Sequence, residues 1–165
     1  MNSAYLLIGG NLGDRIINLS KAKQLIEIEI GEIVSASSVY ETASWGNTAQ
    51  PNFLNQVLIL KTILSAEKII EKIYSIEHSM GRVRGIKNAS RIIDIDILFF
   101  NDEIIKLPHL IIPHPEIENR KFVLVPLAEL SPGLYHPVLK TTVAELLSAS
   151  KDTLAVKRFK VPAAS

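Results

Sequence analysis

Apolar and polar residues follow one another in blocks that predict the elements of the chain. Four apolar runs predict β-strands, over residues 4–8, 32–42, 53–62 and 91–100. Apolar residues at helical spacing predict two helices, one that begins near Asp14 and one that Ser65 caps and Gly81 ends. The order strand, helix, strand, strand, helix, strand is typical of a ferredoxin-like antiparallel sheet with helices packed on it, so we expect the α+β class.

The last third of the chain carries weaker patterns. Asn101 and Asp102 predict a turn into a short strand, and residues 141–148 predict a final helix. The stretch PHLIIPHPEIENRKF, rich in proline and histidine, is assigned no element. Near the other end, Gly9 and Gly10 are interpreted as a tight exit from the first strand. Because no repeat or linker stands out, residues 1–165 are predicted to form a single domain.

The strand RIIDIDILFF, residues 91–100, contains two aspartates among apolar residues. Strand side chains alternate between faces, which predicts one apolar face formed by Ile93, Ile95, Ile97 and Phe99. Asp94 and Asp96 then share the other face, with ~6.7 Å between their Cα atoms. Such a pair can hold Mg²⁺, which binds few carboxylates and takes phosphate oxygens as further ligands. The alternative is an ordinary charged strand facing solvent, although unpaired carboxylates are costly beside apolar surface.

A basic loop precedes these aspartates. It holds four basic residues and no acidic one: Arg82, Arg84, Lys87 and Arg91. Arginine binds phosphate oxygens in a bidentate way and lysine adds a point charge, so the loop predicts a phosphate site. A solvated surface loop is the alternative from charge alone. The neighbouring aspartates favour the phosphate site, because cations and basic side chains together support phosphoryl transfer.

Two further groups of residues are candidates for a binding site. Phe53 and Asn55 share a strand face and offer a stacking surface beside an amide, which suits a flat heterocycle, although a core Phe and an edge Asn fit as well. His114 lies between two prolines, and Arg120 follows it. These two residues predict either a second basic wall of the site or a surface turn.

Composition excludes several classes of function. The 165 residues are 47% hydrophobic and 21% charged, with a net charge of +1, which is too balanced for a long polyanion track, so we expect no nucleic-acid partner. The chain has no cysteine, which excludes disulfides and thiol catalysis. No signal peptide or apolar run of membrane-spanning length is present, so we expect a cytoplasmic protein without a membrane partner.

The run KNASRIIDIDIL, residues 87–98, resembles the signature of the 6-hydroxymethyl-7,8-dihydropterin pyrophosphokinase family. The shared pattern is a basic residue, any residue, two small residues, Arg, two positions, then Asp-apolar-Asp and two apolar residues. Further stretches match the family in order: AYLLIGGNLGD, YETASWGNTAQPNFLN, EHSMGRVR and IPHPEIENRKFVLVPLAEL. The resemblance implies the same ferredoxin-like fold and an ATP-dependent diphosphotransferase of folate biosynthesis.

The resemblance also implies a role for each matching residue. Asp94 and Asp96 would be the ligands of two Mg²⁺ ions beside the ATP phosphates, and with Arg82 and Arg91 they form the expected catalytic set. The expected ATP site is Glu77, Arg82, Arg84, Lys87, Arg91 and His114. The expected pterin site is Thr42, Trp45, Phe53, Asn55, Arg120 and Phe122. Within it, Phe53 and Phe122 would sandwich the ring, Asn55 would bind its edge through the amide, and Thr42 and Trp45 through backbone groups.

We therefore expect a monomeric enzyme whose partners are two small molecules, ATP and a dihydropterin. The hydroxymethyl oxygen of the pterin would attack the β-phosphorus of ATP and release AMP. Two alternatives stay open from the residues: a metal-dependent nuclease or other phosphodiesterase using the same aspartates and arginines, and a non-catalytic pterin- or nucleotide-binding module.

Overall fold

The computed structural model describes residues 1–43, 50–82 and 91–160. Within them the strands are β1 (Asn2–Gly10), β2 (Glu32–Ala36), β3 (Tyr40–Thr42), β4 (Phe53–Thr62), β5 (Asp94–Phe100), β6 (Ile105–Leu107), β7 (Leu110–Ile112), β8 (Tyr135–His136), β9 (Thr141–Thr142) and β10 (Val156–Arg158). The α-helices are α1 (Arg15–Glu29), α2 (Ala66–Ser79), α3 (Lys121–Leu130) and α4 (Val143–Ala149). No helix in these residues is long and apolar enough to cross a membrane.

A six-stranded antiparallel sheet forms the centre of the fold. Its order is β10-β3-β4-β1-β5, and β2 also pairs with β4. β1 and β4 therefore lie in the middle, and the helices α1 and α2 each connect strands that lie in this sheet. This arrangement confirms the predicted α+β class and the ferredoxin-like sheet. β6 pairs with β7 and β8 with β9 in two small separate sheets.

The predicted strand over residues 32–42 is divided in two at Ser37. The Ser37 N–H donates to the Val57 carbonyl oxygen at 2.9 Å. The Ser37 hydroxyl oxygen in turn accepts from the Val57 N–H at 3.0 Å, and the Gln56 amide donates to the Ser37 carbonyl at 2.7 Å. These side-chain bonds replace the regular ladder, so the chain shifts its register on β4 between β2 and β3.

The predicted helix starts are confirmed on α1 and α2. The Asp14 carboxylate accepts from the Ile17 N–H, and the Ser65 hydroxyl accepts from the Lys68 N–H. Gly81 follows the end of α2 with a φ of +89°, a conformation that glycine adopts without strain. Both helices pack their apolar stripes on one face of the sheet and form the larger core cluster with β1, β4 and β5.

The other face of the sheet carries a second core that the sequence analysis did not find. α3 and α4 cover it with residues that include Val123, Leu124 and Val143. α3 was missed because Pro126 lies inside it and its apolar residues form a near-continuous run without clear periodicity. The predicted final helix is confirmed as α4, which Thr142 caps by accepting from the Glu145 N–H.

The predicted faces of β5 are partly wrong. Ile93, Ile95 and Ile97 do share the larger core, but Phe99 lies in the second core together with Leu98. Tyr5 pairs with Phe99 while Leu6 pairs with Ile97, so Leu98 is an extra residue in the ladder. This β-bulge interrupts the alternation with a period of two.

Gly9 and Gly10 are not a strand exit, because β1 continues through both of them. A Cβ atom on Gly9 would lie 2.1 Å from the Asn55 Oδ1 atom, and one on Gly10 would lie 2.3 Å from the Ile92 carbonyl oxygen. Glycine is required here because neighbouring groups approach β1 closely, and not because the chain turns.

We expect Gly10→Ala to lower the free energy of unfolding by about 2–3 kcal/mol, since the neighbouring group is backbone that cannot rotate away. Gly133→Ala is the matched control, because a Cβ atom there meets no atom within 4 Å. Urea unfolding of both variants tests the expectation. Equal stability of the two variants would show that the backbone beside Gly10 yields at little cost.

Candidate active site

A cleft of about 440 Å³ lies at the edge of the second core, where Gly9, Asn55 and Asp94 sit side by side on three paired strands. This volume is in the range of small-molecule sites. The structure places eight of the predicted site residues in its wall: Thr42, Phe53, Asn55, Arg91, Asp94, Asp96, Arg120 and Phe122. Three others, Trp45, Arg84 and Lys87, lie outside the described residues.

Asp94 lies between two arginines. The Arg82 Nη1 atom donates to its Oδ1 atom, and the Arg91 Nη1 atom donates to its Oδ2 atom at 2.8 Å. The Arg82 side chain is 10% exposed and that of Asp94 is 23% exposed, so the Arg82 charge is the more withdrawn from water. Charge-assisted bonds of this kind fix the direction of the carboxylate.

Glu77 is a second acidic partner of Arg82. Its side chain is 2% exposed, and its Oε2 atom accepts from Arg82 at 2.6 Å and from the Ile95 N–H at 2.9 Å. Glu77 is therefore a buried counter-charge that ties the end of α2 to β5, and it does not line the cleft. Removal of one partner from such a buried pair leaves an uncompensated charge.

Asp96 faces the cleft beside Leu7, its neighbour on β1. Burial, and then the negative charges of Asp94 and Glu77, raise the pKa of Asp96 to about 7, against the opposing effects of Arg120 and Arg82. In the described residues Asp96 forms no ion pair. A carboxyl group in this position gains from any cation that enters the cleft.

The donor set fits magnesium held together with a nucleotide. Asp94 and Asp96 supply hard oxygen ligands from one strand face, whereas the described residues contain no group of three or more His, Asp or Glu placed to hold a metal. Magnesium is commonly held by one or two carboxylates, with phosphate and water as its other ligands. The two residues would therefore bind it as part of a complex with a phosphate substrate.

His114, for which one predicted role is a second basic wall, has surroundings that favour its neutral form. Its Nδ1 atom accepts from the Glu116 N–H at 3.1 Å, which leaves the ring proton on Nε2. Burial, and then the positive charge of Arg120, lower the pKa of His114 to about 4, although Asp94 and Glu116 act to raise it. At neutral pH this side chain can donate a hydrogen bond but carries no charge.

The other end of the cleft is aromatic and polar. Thr42 pairs with Phe53 and Gly9 with Asn55, which brings these side chains to one place on the sheet. The buried Thr42 hydroxyl has no hydrogen-bond partner among the described residues. Phe122 in the first turn of α3 faces the same cleft, with the Arg120 guanidinium carbon 5.8 Å from its ring centre. Two rings with a few polar groups suit a flat heterocycle.

Several wall residues were not predicted from the sequence: Leu7, Gly9, Ala43, Glu116, Asn119, Asp152 and Leu154. Asp152 and Leu154 come from the segment after α4, which has no motif. Asp152 reaches the site because its carboxylate accepts from the Lys121 N–H at the start of α3, at 3.0 Å. For Gly9 the signal is the pair Gly9-Gly10, which the sequence analysis interprets as a tight exit from the first strand.

The described residues join a ferredoxin-like sheet to a cleft with acidic and basic side chains, an arrangement that suits the class of phosphoryl-transfer enzymes. Residues 5–132 match the family described as 7,8-dihydro-6-hydroxymethylpterin-pyrophosphokinase (HPPK). The chain belongs to this family, as the sequence resemblance implied.

Named relatives agree with this assignment. The 2-amino-4-hydroxy-6-hydroxymethyldihydropteridine pyrophosphokinase of Aquifex aeolicus is 42% identical over 145 residues, 88% of this chain and 90% of the relative. The protein of the same name from Methylorubrum extorquens is 38% identical over 159 residues, 96% of this chain and 99% of the relative.

A solved structure supports the fold. The crystal structure of Plasmodium falciparum HPPK-DHPS wild type with pterin and p-hydroxybenzoate is similar, with a TM-score of 0.73 at 22% identity. The match covers 89% of this chain and 42% of that one, so this chain spans less than half of the Plasmodium protein.

The raised pKa of Asp96 predicts a pH-dependent stability in the metal-free protein. Its ordinary value is 3.8 and its value in the fold is about 7, so the fold holds a proton that the unfolded chain releases between these values. This contribution is fully present below the ordinary pKa and is lost as the pH rises through about 7. Asp96→Asn should therefore gain stability relative to wild type as the pH rises.

Urea unfolding with EDTA at acidic and at mildly alkaline pH measures this difference. Asp102→Asn changes an exposed aspartate in the turn after β5 and should follow the wild type at both values. A constant difference between Asp96→Asn and wild type across the pH range would contradict the assignment of the proton to Asp96.

Proposed function

We propose that this cleft performs the reaction of its family by holding both substrates side by side. That reaction transfers pyrophosphate from ATP to the hydroxymethyl group of 6-hydroxymethyl-7,8-dihydropterin, releases AMP and belongs to folate biosynthesis. The chain is thus an ATP-dependent diphosphotransferase. The observation that carries the proposal is that one cleft joins a charged end, with Asp94, Asp96 and Arg91, to an aromatic end, with Phe53, Asn55 and Phe122.

The charged end would bind the triphosphate of ATP. Asp94 and Asp96 would hold two magnesium ions, which neutralise and orient the phosphates when bound. Arg82 and Arg91 would exchange their bonds with Asp94 for bonds with phosphate oxygens, while the Arg82 Nη1 atom keeps its bond to Glu77. Neutral His114 would donate from Nε2. Arg84 and Lys87 remain further candidates for the same phosphates.

The aromatic end would bind the pterin. Phe53 and Phe122 would stack on the two faces of the ring, and the Asn55 amide can both donate to and accept from its edge. Thr42 supplies a buried hydroxyl in need of a partner, in addition to its expected backbone contacts. Trp45 remains a candidate through its backbone. Arg120, which lines the cleft beside Phe122, would contact the transferred group or the pterin.

The transfer itself would need little covalent help from the protein. The hydroxymethyl oxygen would attack the β-phosphorus in line, and the new O–P bond would form as the bond between the β-phosphorus and the α-phosphate oxygen breaks. AMP leaves, and the hydroxyl proton passes to solvent. If the transition state is loose, positioning and charge neutralisation dominate, so we assign no protein general base.

We further propose that residues 1–165 act as one domain and as a cytoplasmic monomer, without nucleic-acid or membrane partners. The support for a single domain is that both apolar clusters pack on opposite faces of one sheet. Size-exclusion chromatography with light scattering tests the monomer.

Asp96→Ala should abolish magnesium-dependent turnover, because it removes one of two carboxylate ligands from the proposed metal site. Asp94→Ala should behave alike, and the double variant should lose little more than either single one, since the pair acts as a unit. The assay supplies ATP and the dihydropterin and scores AMP against ADP. Asp102→Ala is the control for loss of an exposed carboxylate.

Formation of AMP and a pyrophosphorylated pterin supports the proposed reaction, whereas ADP formation or the absence of turnover contradicts it. Full activity of Asp96→Ala at saturating magnesium would reject its role as a ligand.

Phe122→Ala should weaken pterin binding at least tenfold and leave binding of an ATP analogue nearly unchanged, because a stacked ring contributes to the flat ligand alone. Calorimetry with each ligand separately measures this. Tyr135→Ala, which removes an exposed aromatic ring outside the cleft, should change neither affinity. Equal losses for both ligands in Phe122→Ala would indicate a structural residue.

A further inference from the structure

We infer that Asn11 is a positioning residue that holds the phosphate end and the pterin end of the cleft in register. The inference rests on the proposed function. Asn11 follows β1 directly, is 1% exposed and does not line the cleft. Its side chain joins two chain segments that are remote in sequence: its Oδ1 atom accepts from the Arg91 N–H at 2.8 Å, and its Nδ2 atom donates to the Pro51 carbonyl at 3.0 Å.

These two bonds fix the orientation of the amide. The Arg91 N–H can only donate and the Pro51 carbonyl can only accept, so a flipped amide would place donor against donor and acceptor against acceptor. The Nδ2 atom also approaches the Gln50 Oε1 atom, at 3.4 Å. Loss of either bond would leave a buried polar atom of the amide without a partner, which costs free energy. The segments that carry Pro51 and Arg91 are therefore held in a fixed relation to each other.

On the phosphate side, the backbone of Arg91 is held by the segment that carries Asn11. The N–H groups of Asn11 and Leu12 donate to the Arg91 carbonyl at 2.9 and 3.2 Å, in addition to the bond from the Arg91 N–H to the Asn11 side chain. Three bonds thus fix the backbone whose guanidinium contacts Asp94. The position of this guanidinium relative to β1 depends on them.

On the pterin side, Pro51 comes two residues before Phe53, which lines the aromatic end of the cleft. Arg15, the first residue of α1, makes a second contact here, because its Nη1 atom donates to the Asn52 carbonyl at 2.9 Å. The segment before Phe53 is therefore docked on residues 11–15, which also hold Arg91.

The bridge matters for transfer because the two reacting groups are bound by different parts of the chain. In-line attack requires the pterin oxygen and the β-phosphorus to meet within about an ångström of the productive geometry, and such misplacement costs up to ~10²-fold in rate. Loss of a bridge should change the relative placement of the two ligands more than the affinity for either one.

Asn11→Ala should lower kcat by about tenfold or more while each KM stays within about threefold of wild type, the pattern of an interaction expressed in the transition state. Asn11→Asp keeps an acceptor for the Arg91 N–H but places an oxygen against the Pro51 carbonyl. If Asn11 served Arg91 alone, Asn11→Asp would restore the wild-type kcat. Because a bridge also needs the bond to Pro51, we expect kcat to fall in Asn11→Asp about as far as in Asn11→Ala.

Asn18→Ala is the matched control. The Asn18 Nδ2 atom donates to the Leu12 carbonyl at 3.0 Å, so this variant loses an asparagine bond to the same connection without a contact to Arg91 or Pro51. Its kcat should equal that of wild type. All rates are taken per folded protein, with the folded fraction measured by thermal unfolding, so that lost stability is not counted as lost rate.

The outcomes distinguish failure of the proposed function from failure of the proposed role of Asn11. Wild-type protein that forms no AMP contradicts the proposed function. Active wild type with an unchanged kcat in Asn11→Ala, a loss confined to KM, full rescue by Asn11→Asp, or an equal fall in Asn18→Ala overturns the role of Asn11 and leaves the proposed function intact.

Discussion

The ion pairs around Asp94 are the constraint on which the site depends. A carboxylate at the start of β5, beside an apolar sheet, is stable because Arg82 and Arg91 bond to its two oxygens and Glu77 balances Arg82 from behind. The same bonds join the end of α2 to β5. One network of ion pairs therefore connects the sheet, a helix and the wall of the cleft. Asp96, two residues on, forms no ion pair among the described residues, and burial, followed by the negative charges of Asp94 and Glu77, raises its pKa.

This network explains how one cleft can serve a phosphate and a flat ring. The charges of Asp94, Arg82 and Arg91 are paired before a ligand arrives, so these three groups do not add free charge beside the apolar walls. In the proposed reaction Asp94 would hold magnesium, and Arg82 and Arg91 would bind phosphate oxygens in place of Asp94. Exchange between paired states costs less than burial of new charges. The aromatic end needs no such exchange, because its contacts are apolar or neutral.

Local signals predicted much of this arrangement. Asp14 and Ser65 mark the helix starts, residues 53–62 match β4, and the spacing of Asp94 and Asp96 places both in the cleft. The failures concern long-range contacts. The bulge that moves Phe99 to the second core, the close approach at Gly10 and the bridge made by Asn11 each depend on a strand or segment that is remote in sequence. Periodicity within one segment carries no information about them.

Anomalous diffraction from crystals grown with Mn²⁺, a non-hydrolysable ATP analogue and the dihydropterin tests the central claim most directly. The account predicts two manganese peaks, each about 2 Å from an oxygen of Asp94 or Asp96. It also predicts that Arg82 and Arg91 have turned from Asp94 to phosphate oxygens. Nucleotide bound without a peak at these carboxylates, or with both arginines still bonded to Asp94, would contradict it.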